Sequence, residues 1–287
     1  MNFAAFRVIS SATALAVVFA GVSACRGRSQ PVGTLQIGPK VVTLAYPLAV
    51  PLKFRWTPTR ELGRSRGSPR VFVHLLDGGR RILRTFDHML PEPWTPDRAQ
   101  SYEIDLYQSA IADRLPAGAY ELTFGLYDSG RDRWPLSVDG EEVGRREYRL
   151  GTVTVPEPAG PAPSFGFKGG WLPVEPGGSR QVLARRCLTG EGSIAVVAPP
   201  SAGTVRVAAS LRADGTPPGA GTYRVSASCS PQTTEISGIE LQWIGFPASP
   251  STGEPPCEIR FTPIASSAEK SVRPLCLEVL AWRPAGR

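Results

Sequence analysis

Proline and glycine are too frequent in this chain to allow many long helices. The 287 residues include 30 glycines and 29 prolines, about a fifth of the sequence and well above ordinary usage. Proline breaks a helix interior and glycine weakens it, so this composition favours short strands separated by turns. We therefore predict an all-β protein of two antiparallel β-sandwich domains joined by a Pro-rich linker.

Alternating apolar and polar residues mark the predicted strands. The run Tyr120–Tyr127 places Tyr, Leu, Phe and Leu on one face, as in a sheet with one buried and one hydrated face. Turn sequences such as Asp77–Gly79 and Asp128–Gly130 separate such runs. Four prolines within residues 156–164 predict a stiff, extended linker between the two domains.

The N-terminus has the composition of a secretion signal. Arg7 is the single charge before the apolar stretch Val8–Gly21, which is shorter than the roughly 20 residues that span a bilayer as a helix. The residues Val22–Cys25 then resemble the bacterial lipoprotein signal, in which the cysteine is lipidated and becomes the new N-terminus. The resemblance implies that acyl chains such as palmitate at Cys25 anchor the protein to a bacterial membrane, facing the periplasm or the cell surface. Ordinary cleavage after Ala24 is the alternative.

Four further cysteines all lie in the C-terminal part of the chain. An even number in an exported protein predicts two disulfides, for which three connectivities are possible. Cys229 and Cys257 continue the apolar phase of their strands and are expected to point inward, whereas Cys276 lies on the other face of the last strand. This pattern favours Cys229 with Cys257 and Cys187 with Cys276. No metal site and no cofactor are predicted, because there is no CxxC pair and no histidine near a cysteine in sequence.

The net charge of +7 does not indicate nucleic-acid binding. Only four of the 32 basic residues are lysines, and residues 35–155 hold 17 basic against 15 acidic residues, so no concentrated basic face is expected. We interpret an arginine-rich stretch between residues 60 and 84 as solvated surface. Contact with an anionic partner, such as lipid headgroups or an acidic polysaccharide, is the alternative.

The sequence carries no recognisable catalytic motif. It lacks a G-x-S-x-G elbow, an H-E-x-x-H pair and a Walker loop, and the glycine-rich run Gly190–Ala195 leads into a strand rather than a helix. His74 is predicted to be a structural residue of a central strand, with one ring nitrogen bonded to the backbone or to Asp87, and His88 to be an exposed loop residue. We therefore predict that the protein is not an enzyme. A carboxylate pair for glycoside hydrolysis stays open, because such pairs leave no fixed spacing.

Runs in both predicted domains resemble known bacterial modules. The runs Val71–Asp77, Leu115–Leu122 and Gly125–Asp128 resemble a bacterial immunoglobulin-like domain that occurs in envelope proteins and behind membrane-embedded glycosyltransferases. The runs Gly170–Glu175 and Arg273–Val279 resemble a lectin-like jelly-roll module that accompanies bacterial polysaccharide proteins. These resemblances imply two β folds and an envelope location. The predicted organisation is a signal peptide at 1–24, a lipidated cysteine with its tether at 25–34, an immunoglobulin-like β-sandwich at 35–155, the linker at 156–164 and a jelly-roll-like β-sandwich at 165–287.

Exposed aromatic side chains are the candidate ligand-binding residues, because the C–H patches of sugar rings stack on flat side chains. By phase, Trp56 and Trp243 are assigned to the core, whereas Trp282 shares a face with Glu278 and is expected to be exposed. Trp171 lies in a predicted loop, where packing over the end of a sandwich is the alternative to ligand contact. The candidate ligand-binding set is Trp171, Glu175, Arg273, Glu278 and Trp282.

These observations predict a non-catalytic cell-envelope lipoprotein that binds or scaffolds polysaccharide. Its expected partners are the membrane, through the lipid anchor, and polysaccharide or envelope proteins. The alternative function is a structural or assembly partner of a glycan synthesis or export complex, acting through protein contacts. A sugar-binding protein should gather exposed aromatic residues at one place, whereas an assembly partner should show a broader apolar patch.

Overall fold

The computed structural model describes residues 30–62, 68–130, 132–179, 182–212, 221–250, 256–264 and 273–285. The regular secondary structure of these residues consists of strands, which confirms the predicted all-β fold class. Within the same ranges, no helix is long and apolar enough to cross a membrane. The predicted signal peptide and Cys25 lie outside the described residues.

The strands fall into two groups along the chain. The first group, called the first sandwich below, consists of β1 Gly33–Gly38, β2 Val41–Thr43, β3 Ala49–Pro58, β4 Arg70–Leu76, β5 Ile82–Thr85, β6 His88–Met89, β7 Gln100–Tyr107, β8 Gly118–Tyr127, β9 Arg133–Trp134, β10 Ser137–Val138, β11 Glu142–Gly144 and β12 Glu147–Val155. The second group, called the second sandwich, consists of β13 Ser164–Pro176, β14 Ala184–Val197, β15 Gly203–Leu211, β16 Thr222–Ala227, β17 Ser230–Ile236, β18 Gln242–Ala248, β19 Cys257–Ile264 and β20 Leu275–Pro284.

Two sheets enclose the core of the first sandwich. Their strand orders are β10-β1-β3-β7 and β11-β12-β8-β4-β5, and β2, β6 and β9 pair with β12, β4 and β8. Most neighbours are antiparallel, whereas β1 with β10 and β2 with β12 are parallel. Strand β3 shows why the sheets pack, since Leu52, Phe54 and Trp56 are buried while Lys53 and Arg55 between them are exposed. The core position predicted for Trp56 is confirmed.

Strand β14 pairs with two different strands along its length in the second sandwich. Its residues 186–188 pair with β20 and its residues 192–196 pair with β19, in the strand order β17-β16-β19-β14-β20-β15-β18, with β13 also paired to β14. Gly190, between the two halves, and Gly169 in β13 both have φ of 91°, a conformation that favours glycine. The sheet therefore bends there and folds over one apolar core. The run Gly190–Ala195 lies inside β14 and forms no phosphate-binding loop.

A β-bulge in β20 reverses the alternation that the sequence suggests. Between Ala208 and Ala209 of β15, the pairing on β20 advances by two residues, so Glu278 is an extra residue. Leu277 faces the core before the bulge, and Trp282 faces the same core after it. Trp282 is fully buried, so the prediction that its side chain is exposed is wrong.

The two sandwiches are in direct contact. Ile111, which follows β7, belongs to the apolar core of the second sandwich. The N–H of Trp282 donates to the carbonyl of Pro47 at 3.0 Å, and the N–H of Ala110 donates to the carbonyl of Leu280 at 2.7 Å. The chain from Pro31 onward accordingly forms one compact unit. The predicted domain boundaries and the linker stay predictions.

Candidate functional site

The structure contains two disulfides, with the pairing that the strand phases favour. Cys187 and Cys276 are direct partners across β14 and β20, and both are buried. Cys257 begins β19 and is bonded to Cys229. Cys229 itself lies in the turn after β16 and is exposed, so its predicted inward orientation is wrong. The chain reverses direction there and the strand alternation no longer applies.

The predicted ligand-binding residues do not form one open platform. Trp282 is in the core, as described above. Trp171 lies in β13, where its ring meets Phe167 and Phe261 edge-on at 5.3 Å between ring centroids. Its Nε1–H donates to the carbonyl of Ser193 at 3.1 Å. Trp171 therefore packs over the core, which is the alternative role that the sequence left open.

The charged members of that set are Glu175, Arg273 and Glu278, and Glu175 lies 3.7 Å from the sulfur of Cys187. Glu175 forms ion pairs with Arg185 and Arg212 at 3.5 and 3.6 Å. Glu278 accepts a hydrogen bond from the Ser210 hydroxyl at 3.1 Å, and burial raises the pKa of its carboxyl. Arg273 is buried. Glu175 and Glu278 are thus engaged with other polar groups of the protein.

A groove of about 460 Å³ between the two sandwiches is the better candidate site. Residues 86–89, which include β6, and Pro91 line one side, and residues 102–105 and Tyr107 of β7 line the base. Arg206, Trp243 and Arg283, from β15, β18 and β20, line the other side. The groove therefore requires both sandwiches.

Trp243 is the exposed aromatic residue of this groove. Its side chain is 39% exposed, and its ring meets the ring of Tyr107 edge-on at 5.4 Å between centroids. The core-facing residues of β18 are Ile244 and Phe246, so Trp243 has the opposite phase. Its predicted core position is wrong, because Ile239 and Leu241, with which it alternates in the sequence, lie before β18, and Ile239 is itself exposed.

Ion pairs between the two sandwiches form the floor of the groove. Asp105 Oδ2 lies 2.6 Å from Arg206 Nε, and Asp105 Oδ1 lies 3.3 Å from Arg283 Nη1. Arg283 Nη2 also lies 2.6 Å from Glu103 Oε1. The Asp105 side chain is only 2% exposed, whereas the two arginines are about a quarter exposed. One buried carboxylate of the first sandwich thus holds two guanidinium groups of the second.

Gly245 makes room for Arg206 beside Trp243. Arg206 is the cross-strand partner of Gly245, and its guanidinium lies over the Trp243 ring at 5.5 Å from the ring centroid. A Cβ at position 245 would lie 2.8 Å from Arg206 Nη1 and 3.0 Å from Thr204 Cγ2. The glycine therefore lets Arg206 lie across β18, where it fixes the orientation of the Trp243 indole.

His88 lines the groove as a neutral imidazole. Its Nε2 lies 2.9 Å from the Tyr102 hydroxyl, and its Nδ1 lies 3.0 Å from the Phe86 carbonyl. Trp56 Nε1–H donates to the same hydroxyl. In this network, the Tyr102 hydroxyl therefore donates a hydrogen bond to His88 Nε2, and the imidazole proton lies on Nδ1. Burial lowers the pKa of His88. The predicted exposure of His88 is wrong, because β6 pairs with β4 and holds the ring against Phe54.

His74 is buried in β4, between β5 and β8, as predicted. Its Nε2 lies 3.8 Å from Asp87 Oδ1, and its Nδ1 lies 3.8 Å from Glu147 Oε1. Asp87 is a partner that the sequence suggested, whereas Glu147 was not foreseen. His74 and the hydroxyl of Thr123, which donates to Glu147 at 2.6 Å, lower the pKa of Glu147 to about 2. Among the described residues, no three His, Cys, Asp or Glu side chains are placed to hold a metal ion.

The fold and the groove define an all-β protein with an aromatic, charged groove between two sandwiches. Comparison with protein-family models and with curated proteins finds no match. Solved structures give similarities of low extent. A β-glucuronidase of Bacteroides uniformis is 12% identical with a TM-score of 0.29, and the match covers 89% of this chain and 30% of that one.

Two other solved structures contain carbohydrate-binding module domains. The CBM22-1–CBM22-2 tandem domain of Paenibacillus barcinonensis Xyn10C is 10% identical with a TM-score of 0.33, and the match covers 82% of this chain and 87% of that one. The M60 catalytic domain with two CBM51 domains from Clostridium perfringens ZmpB is 10% identical with a TM-score of 0.32, covering 87% and 31%. The chain thus spans about 30% of the β-glucuronidase. At TM-scores near 0.3, these similarities define no fold family and no activity for this chain.

Proposed function

We propose that this chain is a non-catalytic, lipid-anchored protein of a bacterial cell envelope that binds polysaccharide in the groove between its sandwiches. The observation that carries the proposal is the exposed indole of Trp243 in a groove that Tyr102 and Tyr107 also line. Flat aromatic side chains offer the surface on which sugar C–H patches stack. The anchor at Cys25 and the envelope location rest on the lipoprotein signal in the sequence.

The size and polarity of the groove support a sugar ligand. Ligand sites are clefts of roughly 300–1,000 Å³ with a few polar groups among apolar ones, and this groove of about 460 Å³ has that character. Glu103, whose side chain is 40% exposed, can accept hydrogen bonds from sugar hydroxyls.

The carboxylates at the floor of the groove favour binding over catalysis. Asp105 and Glu103 each lie 2.6 Å from an arginine nitrogen. A general acid or base must reach the reacting atom of its substrate, whereas both of these carboxylates are engaged with guanidinium groups of the protein. These two carboxylates therefore suit charge neutralisation better than proton transfer.

The test compares glycan binding by the purified full chain with binding by Trp243→Ala. On a broad glycan and polysaccharide array, the unchanged protein should retain a defined glycan class. Trp243→Ala should weaken that binding at least about tenfold, which corresponds to 1.4 kcal/mol. Because Trp243 is partly exposed, the urea midpoint should change little. Ile239→Ala is the matched control, since Ile239 is 58% exposed and outside the groove lining.

Three outcomes separate the proposals. Loss of binding in Trp243→Ala with retention in Ile239→Ala supports the groove. Equal binding by both variants contradicts the groove as the site. A folded protein that binds no glycan contradicts sugar binding and favours the alternative function, contact with proteins of a glycan synthesis or export complex.

A further inference from the structure

We propose that the ligand of the groove is an uncharged glycan, free of carboxylate, sulfate and phosphate groups. The inference rests on the proposed function and names the ligand class of the same site. It follows from how the charged groups of the groove pair with one another. The chain as a whole is basic, with a net charge of +7, but the groove is not.

Carboxylates outnumber cations in the groove. The charged residues that line it are Asp87, Glu103, Asp105, Arg206 and Arg283, which makes three carboxylates against two guanidinium groups. The lining also includes His88, which adds no cation, because its neutral imidazole accepts a hydrogen bond from the Tyr102 hydroxyl at Nε2. A ligand that brings its own negative charge would enter a site with excess negative charge.

Both arginines already hold carboxylates of the protein. Arg206 Nε lies 2.6 Å from Asp105, and Arg283 lies 3.3 Å from Asp105 and 2.6 Å from Glu103. A ligand carboxylate could bind either arginine only by displacing one of these partners. If a ligand displaced Asp105 from Arg206, this carboxylate would keep only the longer contact with Arg283 at 3.3 Å, although its side chain is only 2% exposed. The arrangement therefore gives an acidic ligand no arginine that is not already paired, and it disfavours binding by displacement.

Asp87 is the third carboxylate of the lining. Its Oδ1 accepts a hydrogen bond from the N–H of Val73 at 3.3 Å, and its Oδ2 accepts one from the Tyr127 hydroxyl at 3.3 Å. His74 faces it from β4 at 3.8 Å, with Glu147 on the other side of the ring. These partners fix the Asp87 carboxylate beside the groove. A neutral sugar, by contrast, needs only the Trp243 surface and acceptors for its hydroxyl groups.

The experiment measures binding of the full chain to matched pairs of hexasaccharides by titration calorimetry. Each pair shares ring configuration and linkage and differs only at C6, as hexose or hexuronate. The gluco, manno and galacto pairs, all 1,4-linked, are used at 50 and 500 mM NaCl. In every series that binds, the hexose form should bind at least tenfold tighter than the uronate. Its affinity should change less than twofold between the two salt concentrations.

The variant Glu103→Gln tests whether charge sets the preference. It leaves Arg283 with Asp105 as its remaining groove carboxylate, so the hexose-to-uronate affinity ratio should fall at least threefold. Asp139→Asn is the control, because it makes the same charge change on an exposed ion pair with Lys40 that does not line the groove. That control should leave the ratio unchanged.

Each result decides between the two proposals. Uronate binding equal to or tighter than hexose binding overturns the uncharged-ligand inference and leaves polysaccharide binding standing. A hexose affinity that falls steeply with salt also overturns this inference. So do equal shifts of the hexose-to-uronate affinity ratio in Glu103→Gln and Asp139→Asn. No binding to any member, with folded protein, counts against the proposed function and the inference together.

Discussion

Replacing Asp105 by alanine should destabilise the protein by about 2–3 kcal/mol. Asp105 is the carboxylate of the first sandwich that pairs with Arg206 and Arg283 of the second, at 2.6 and 3.3 Å. Removing it leaves two guanidinium groups at the interface without their shared partner. The substitution therefore weakens the contact between the two sandwiches rather than the packing of either core.

The magnitude follows from the exposure of the three side chains. Breaking a buried ion pair by removing one partner costs about 3–5 kcal/mol, because the other charge stays buried and unpaired. Here Asp105 is 2% exposed, but Arg206 and Arg283 are 23% and 26% exposed, so water can partly solvate both after the change. Arg283 also keeps Glu103. These features place the expected loss at about 2–3 kcal/mol, below the range for fully buried pairs.

Urea denaturation followed by tryptophan fluorescence measures the loss, with the slope checked for constancy. Glu103→Ala is the matched control, because it breaks an ion pair to the same Arg283 whose carboxylate is 40% exposed. Exposed pairs contribute less than about 1 kcal/mol. If Asp105→Ala is no more destabilising than Glu103→Ala, the buried ion pair does not stabilise the interface and this reasoning fails.

Three further predictions concern the core, the anchor and low pH. Trp282→Ala should lower the free energy of unfolding by about 3–5 kcal/mol, because the side chain is fully buried, and an unchanged urea midpoint would contradict its core position. Cys25→Ser should move the protein from the membrane pellet to the soluble fraction, and continued pelleting would exclude the lipid anchor. Glu147 has a folded-state pKa of about 2 against an ordinary 4.5, so its contribution, up to about 3 kcal/mol, is present above pH 4.5 and is lost as the pH falls towards 2. Urea midpoints at pH 7 and pH 3 should therefore differ more for the unchanged protein than for Glu147→Gln, and equal differences would refute this assignment.

Features with a local cause were predictable from the sequence. The all-β class follows from proline, glycine and alternation, and Trp56 is buried because β3 alternates regularly along its length. The pairing of Cys187 with Cys276 was favoured because the phase of β20 places Cys276 on the face opposite the core, and Cys187 lies on that face too.

Features that depend on irregularity or on distant contacts were not predictable. The bulge at Glu278 reverses the phase of β20, and nothing in the residues of that strand marks it, so Trp282 was assigned to the wrong face. The core position predicted for Trp243 was wrong because the sequence alternation that suggested it begins before the start of β18. The groove itself depends on the contact between Asp105 and Arg206, which are 101 positions apart in the sequence, and no local sequence pattern indicates that contact.

The groove that spans both sandwiches also bears on how such a protein can evolve. Its walls come from separate segments, and Ile111 of one segment completes the apolar core of the other. A recombination event that exchanged either segment alone would divide the groove and leave Asp105 or Arg206 without its partner. The two segments should therefore be inherited as a unit, and substitutions at positions 105 and 206 should arise together across descendants of this chain.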